Sequence, residues 1–496
     1  MQLMVERHQS RPLYLQVVEQ IQMRIRSGAL PAGSRLPPIR QLAEELGLTR
    51  LTVHNAYAEL QADGWIESFV GRGSYVAERP GVKAQTRPSP VLPQLRVTPA
   101  SMFGEIARLS QRDDMISFAQ AAAAPETFPL REFNRMIQHV TADADGALFN
   151  YGITQGEAVL RDQLARYLLD RNVQVPPDQI IVVAGAQQGI DIALRGLVQP
   201  GDTVLVEQPT YLGMIERMQL QGLKLVAVPI DEQGIRPDAL ETAIALHQPK
   251  LLYTIPTFHN PTGICMSADR MDVVLDIARR HALPILEDDI YGPLSYDGPP
   301  PLPLKARDAS GLVIYLSSFS KVLMPGLRLG LVAAAPPMLD ALIGVKRIAD
   351  MHSPQLIQCA VAEYLDRGHF AAHVRSIRSI YRERRDAMLA NLERCMPSDA
   401  TWTTPGGGFC IWVGLPPGVR SAELYEEALA HGVGFAPGQM FFPEQPAQQF
   451  IRLSFAAHPP EQIARGIEIL GDLIEQQVRH RAQLQPRSFC NTVPMV

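Results

Sequence analysis

Lys321 closes the run Ser317-Ser318-Phe319-Ser320-Lys321, where small hydroxylated neighbours leave an amine partly desolvated. A neutral amine of that kind forms a Schiff base with an aldehyde. Seven residues on, Arg328 in Pro325-Gly326-Leu327-Arg328-Leu329-Gly330 offers the planar fork that grips a phosphate. Asp288 and Tyr291 share the run Glu287-Asp288-Asp289-Ile290-Tyr291-Gly292. A carboxylate there can hold a pyridine nitrogen protonated and so make the ring an electron sink. Asn260, in His259-Asn260-Pro261-Thr262-Gly263, can donate to a phenolate oxygen on the same ring. Gly185-Ala186-Gln187-Gln188-Gly189 reads as a helix opening whose free amides bind phosphate. Singly, none of these is specific. A lysine after Ser-Phe-Ser is ordinarily a surface lysine, and the glycines at 185 and 189 lack dinucleotide-fingerprint spacing.

What must position them is a sheet. Strand-like apolar runs (Ile180–Val183, Thr203–Val206, Leu251–Ile255, Pro284–Leu286, Val313–Leu316, Leu329–Ala333) alternate with amphipathic stretches. That alternation predicts an α/β unit with a largely parallel sheet. Ligands of such sheets sit beyond the carboxyl ends of the strands, which is where these motifs fall.

A smaller unit precedes it. Leu13, Val17, Val18, Ile21 and Ile25 keep helical spacing up to Gly28. Ile39, Leu42, Ala43 and Leu46 mark a second helix ended by Gly47, and Thr49 can cap a third whose inner face is Val53, Ala56, Tyr57 and Leu60. Arg50, Leu51, Thr52 and His54 are then on its outer side. Two β-rich runs follow, Gly64–Val70 and Ser74–Val76, joined by Gly71-Arg72-Gly73 with an arginine at the tip. A helix, a short turn and a helix suit a major groove, and a glycine-flanked arginine suits a minor groove. By spacing alone, a three-helix module that binds protein is the competing description, and DNA binding is the favoured one.

The 496 residues are too many for one core. Four prolines in 80–93 mark a linker, so the expected division is 1–79, a linker 80–100, a large unit 101–479 and a disordered polar tail 480–496. Residues 1–80 hold nine arginines, no lysine and eight acids, within a chain of net charge −5. DNA binding must therefore come from a few placed arginines and not from a basic surplus. Five scattered cysteines (Cys265, Cys359, Cys395, Cys410, Cys490) make neither a disulfide framework nor a metal pattern, which points to the cytoplasm. No clean apolar stretch of membrane-spanning length occurs, and the N-terminus lacks a signal-peptide core.

The pieces Gly33-Ser34-Arg35-Leu36-Pro37-Pro38-Ile39-Arg40-Gln41-Leu42-Ala43, Leu46-Gly47-Leu48-Thr49-Arg50-Leu51-Thr52-Val53 and Gly71-Arg72-Gly73 together resemble the GntR-family winged helix over residues 12–77. The resemblance implies that Arg40 and Arg50 hold phosphates and bases, that Thr49, Thr52 and His54 sit at the groove, and that Arg72 forms the wing. Leu51 departs from it, standing where relatives often have a polar contact. Residues 100–475 resemble fold-type I pyridoxal-phosphate aminotransferases, especially the kynurenine/2-aminoadipate branch. That implies Lys321 as the Schiff-base lysine, Asp288 at the pyridine nitrogen, and Asn260 and Tyr291 at the phenolate oxygen. Tyr211 would stack on the ring, while Ala186, Gln187, Ser318, Ser320 and Arg328 would surround the phosphate. Tyr151 would reach the phosphate from a partner subunit, and Arg452 would grip an α-carboxylate. Cys410 departs from the pattern, standing where an aromatic is common.

The fusion resembles the MocR/GabR regulators. It implies a homodimer that binds a double-stranded DNA operator and senses an amino acid, an amine or pyridoxal 5′-phosphate itself, with no membrane partner. The alternative is a working amino acid aminotransferase that carries a DNA-binding domain. A dead, cofactor-free domain would not be expected to keep Lys321, Asp288, Tyr291 and Arg452 together.

Overall fold

The computed structural model describes residues 3, 5, 12–69, 73–77, 114–142, 144, 146–443 and 447–484. Packing divides the chain into two units, Met1–Thr98 and Pro99–Val496. Arg72 at the expected wing tip, the expected linker 80–100 and residues 485–496 lie outside the described residues.

The first unit is α1 (Leu13–Arg26), α2 (Ile39–Leu46), α3 (Arg50–Ala62) and an antiparallel hairpin, β1 (Ile66–Phe69) with β2 (Gly73–Val76). Val17, Val18 and Ile21, then Leu42 and Ala43, then Val53, Ala56, Tyr57 and Leu60 bury together, the faces that the spacing predicts. Gly47 ends α2 at φ 61°, a left-handed turn that glycine takes without steric cost. Thr49 caps α3, its Oγ1 accepting from the Thr52 N–H at 3.2 Å, a device worth about 1 kcal/mol. Tyr57 donates to the Pro37 carbonyl at 2.8 Å and ties α3 to the segment before α2.

The second unit opens with β3 (Ile116–Ser117). Its main sheet comprises β4 (Ile180–Val183), β5 (Thr203–Gln208), β6 (Lys224–Asp231), β7 (Gly234–Ile235), β8 (Leu251–Thr254), β9 (Ile285–Asp288), β10 (Val313–Ser318) and β11 (Gly330–Ala333). Their spatial order is β4-β11-β10-β9-β8-β5-β6-β7. From β10 to β6 all neighbours are parallel; β11 lies antiparallel between β10 and β4, and β7 antiparallel beside β6. Both sheet faces are covered. Ile181 and Val183 enter one apolar cluster with the helix Ala186–Leu197, while Ile180 and Val182 enter another, so the strand reads as an unbroken apolar run.

A second sheet, in the order β12-β13-β16-β15, is built from β12 (Thr401–Trp402), β13 (Cys410–Gly414), β15 (Ala436–Pro437) and β16 (Phe450–Ser454), while β14 (Val433–Gly434) pairs with β3. The closing helix runs Pro460–Leu484, past the boundary at 480 where a disordered tail is expected from the sequence. Its polar last turns are held from the side: Arg481 reaches Glu423 at 2.6 Å, Gln477 reaches Glu427 at 3.0 Å, and Arg479 pairs with Glu475 one turn back. Among the described residues no helix is long and apolar enough to cross a membrane.

Candidate functional site

Most of the expected cofactor residues meet at one edge of the main sheet. Asp288 is the last residue of β9 and Ser318 the last of β10, with Lys321 three residues beyond. Ala186, Tyr211 and Asn260 follow β4, β5 and β8. Because β11 runs antiparallel, pairing Gly330 with Ser318 and with Val183, it brings Arg328 to the same edge. A cavity of about 380 Å³ opens there, lined by Ala186, Gln187, Tyr211, Asp288, Ser318, Ser320, Lys321 and Arg328. A smaller one of about 110 Å³ is lined by Asn260, Tyr291 and Arg452. Lys321, Tyr211 and Ile290 line both.

Lys321 is half-buried, and its Nζ donates to the Ala121 carbonyl at 2.6 Å. Burial pushes the amine down to about 8, which makes its neutral, nucleophilic form accessible near neutral pH. Asp288 is fully enclosed and is pushed up to about 7 by that burial, against the Tyr253 hydroxyl that donates to its Oδ2 at 2.8 Å. Its Oδ1 is buried with no partner. An unpartnered buried carboxylate oxygen costs about 1–3 kcal/mol, so a site that keeps one is shaped for a donor that arrives with a ligand.

The anion end is built from backbone and hydroxyls. Gly185, at φ 87°, precedes the helix Ala186–Leu197, and a Cβ on it would lie 2.9 Å from Arg328 Nη2. Arg328 itself is left-handed (φ 49°) and donates to the Ala184 carbonyl at 2.8 Å. Ser318 Oγ donates toward Ser320 Oγ at 3.0 Å and the Leu329 carbonyl at 3.2 Å. Gln187 lines the same cavity. Its side chain donates to the Tyr211 hydroxyl at 2.5 Å and accepts from Arg217 Nη2 at 2.6 Å, which leaves its backbone N–H at the helix start for an anion.

At the other end Arg452, in the middle of β16, donates to the Ala119 carbonyl and, at 3.1 Å, to Asn260 Oδ1. Its guanidinium lies 5.1 Å from the centre of the Phe441 ring, and its Nε is buried without a partner. Tyr291 is buried against Phe409, ring centres 5.5 Å apart. Cys410 Sγ stands 3.7 Å from Asn260 Oδ1. Tyr151 is elsewhere: 78% exposed, packed edge-on to His352, and lining neither cavity.

Several supporting residues escape sequence reasoning. Asp289 accepts from buried Arg171 and from Tyr315, both at 2.7 Å, and Glu287 accepts from the Leu304 and Lys305 amides. Burial pushes Glu287 up to about 8. Three consecutive acids thus do three jobs, and the middle one faces the cavity. The Asp191–Arg217–Gln187–Tyr211 chain is also new.

In the first unit, Thr49, Arg50 and His54 are exposed on or beside α3 with Leu51, while Thr52 is half-buried and bonded to Thr49 Oγ1. Arg40 lies 4.0 Å from Glu44, an exposed pair worth only about 0.3–0.5 kcal/mol, which leaves the guanidinium free for a phosphate. Exposed Asn55, one turn after Leu51, shares that face and was not foreseen. Arg35 packs its guanidinium against Gly73 at the hairpin.

The comparisons agree with this geometry. Residues 13–76 match the bacterial regulatory proteins of the gntR family, and 109–470 match aminotransferase class I and II. An uncharacterized HTH-type transcriptional regulator of Bacillus subtilis, YdfD, is 34% identical over 94% of this chain and 97% of its own. The probable rhizopine catabolism regulatory protein MocR of Rhizobium meliloti is 31% identical over 94% and 95%. The chain belongs to the class I and II aminotransferase family, in its MocR-type regulator branch. The α-aminoadipate aminotransferase LysN of Thermus thermophilus, solved with N-(5′-phosphopyridoxyl)-L-leucine, superposes with a TM-score of 0.70 at 34% identity, covering 76% of this chain and 98% of that one. This MocR-type regulator therefore joins a DNA-binding winged helix to a unit whose cofactor is pyridoxal 5′-phosphate. Its residues fit that group: a poised amine, an orphaned carboxylate oxygen, and helix amides beside an arginine.

Proposed function

We propose that this regulator senses an α-amino acid at a pyridoxal phosphate held by Lys321, and that it works as a cytoplasmic homodimer on a two-fold DNA operator. One observation carries the reading: Lys321 lines both cavities, with anion donors in one and Arg452 in the other. Bound pyridoxal phosphate supplies an electrophilic carbon joined to an electron-withdrawing ring. Lys321 would meet that carbon as the neutral amine. Asp288 Oδ1 would accept from the ring N–H, and the cation beside it would draw the carboxyl's pKa back down. Asn260 and Tyr291 would take the phenolate oxygen, and Tyr211 would stack on the ring. Ala186 and Gln187 amides, Ser318, Ser320 and Arg328 would hold the phosphate. Arg452 takes the α-carboxylate with the fork that arginine alone provides.

Phe149, Tyr151 and Ile153, all exposed within five consecutive residues, support dimerisation, since so much exposed apolar surface in one short segment calls for a cover. In the dimer Tyr151 would reach the partner's phosphate. Arg40, Thr49, Arg50, Thr52, His54 and Arg72 would contact DNA, each winged helix reading one half-site.

The second reading, a working aminotransferase, is favoured by the same complete set of Lys321, Asp288, Tyr291 and Arg452. A mobility-shift titration on the region upstream of the protein's own gene separates the two. The regulator requires that pyridoxal phosphate and amino acids change operator affinity. Steady turnover of amino acid to keto acid with unchanged DNA affinity would establish the enzyme instead.

A further inference from the structure

We propose that the effector is an α-amino acid with an uncharged, apolar side chain. This rests on the reading above, because it assumes that Arg452 takes the α-carboxylate and that the cofactor engages the amine. The chamber between those two points is the 110 Å³ cavity. Among its described lining residues the only cations are Lys321, which is committed to the cofactor, and Arg452. No carboxylate is among them, since Asp288 faces the other cavity.

What remains for a side chain to meet is apolar. With Tyr211, Asn260 and Tyr291 assigned to the cofactor, Leu212, Ile290, Ala436, Met440 and Phe441 supply the wall, and the remaining polar residue, Gln120, is exposed. The wall is firm where it matters. Phe441 is 2% exposed, is backed edge-on by Trp412 at 5.6 Å, and returns its carbonyl to the Thr210 N–H at 2.8 Å. The same ring supports the Arg452 guanidinium. The carboxylate subsite and the apolar wall therefore share a residue, and a ligand anchored at Arg452 directs its side chain along that wall. A carboxylate or ammonium placed there gives up its water and gains no opposite charge. An aliphatic chain loses nothing and buries area. Met440, unbranched and adaptable, lets one wall serve chains of different shape.

The test is a panel titrated into the cofactor-loaded, full-length protein: leucine, methionine, glutamate, lysine and 3-methylbutylamine. Binding is read from the visible absorbance and, independently, from the change in operator affinity in a mobility shift. Leucine and methionine are expected to bind at least about tenfold tighter than glutamate or lysine, a margin within reach of a single apolar pocket. Glutamate or lysine binding as tightly as leucine would overturn the inference while leaving the amino-acid reading intact. If 3-methylbutylamine matches leucine, or no amino acid in the panel alters either signal, the reading beneath it fails and the inference goes with it. Met440→Lys places a cation in the wall and is expected to shift the order toward glutamate. An unchanged order in a variant that melts like the wild type would remove Met440 from the wall and count against the proposal.

Discussion

The cofactor edge of the large sheet and the outer side of α3 are both sets of polar side chains awaiting a partner, yet they are specified in opposite ways. At the sheet edge the groups are enclosed and held in advance: Asp288 by Tyr253, Gln187 by Arg217, Asn260 by Arg452. The pKa values of Asp288 and Lys321 are displaced by burial, and what is missing shows as an orphaned oxygen. On α3, Arg50 and His54 stand in solvent. A buried site declares its ligand through what it leaves unsatisfied, because each unmet group is expensive. An exposed one declares little, because water satisfies it already.

That contrast predicts a double dissociation, and the largest effect comes first. Lys321→Ala is expected to abolish borohydride-fixable cofactor and its visible absorbance. The melting temperature and effector-free DNA binding should persist, since no core volume is lost. Reduced adduct mapped to any other lysine would break the assignment. Arg452→Lys keeps the charge and loses the fork, so amino-acid affinity should fall about 10- to 100-fold, the scale of one charge-assisted hydrogen bond pair. Cofactor content and DNA binding should hold; an unchanged ligand response would point to an effector without a carboxylate.

The mirror experiment is Arg50→Ala, expected to weaken operator binding by roughly 1–3 kcal/mol while leaving the cofactor's spectrum untouched. Normal operator affinity would move the recognition surface off α3.

A pH profile sharpens the comparison from the buried side. An amine lowered to about 8 is neutral above that pH and protonated below it. The rate of pyridoxal phosphate uptake by the apoprotein, followed by stopped-flow absorbance, should therefore rise with pH, reach half its maximum near pH 8 and level off above that. A rate still climbing at pH 10 would mean that burial does not lower Lys321. The smallest effect is expected from Arg217→Met, which frees the Gln187 amide to turn. It should change the visible circular dichroism of the bound cofactor and cost about 1 kcal/mol in effector affinity; an unaltered dichroism would show that the chain does not orient Tyr211.

Much of this was legible in the sequence. The six apolar runs all became strands of the main sheet, and the three-helix faces buried as spaced, because both rest on local periodicity. The cavity-lining residues were legible because most of them follow strand ends in short, distinctive runs. Their supports were not. Tyr253 lies 35 residues from Asp288, Arg171 lies 118 from Asp289, and Arg217 lies 30 from Gln187, and no period connects such pairs. Gln187 was legible only in part: its place at a helix start was visible, but the arginine that holds its side-chain amide was not. The closing helix misled by composition, since its last turns read as polar, and Gln477 and Arg481 are held by carboxylates on another helix.

The clearance between Gly185 and Arg328 constrains how this chain can change over time. A side chain at 185 would occupy space that the guanidinium now fills, and the left-handed backbone there already disfavours one. Replacing the arginine alone would empty the space and strip the Ala184 carbonyl of its donor. Neither position therefore has a neutral single step away from its present state, and a lineage leaving this arrangement would have to change both at once. Two residues 143 apart in sequence thus behave, for mutation, as one inherited character.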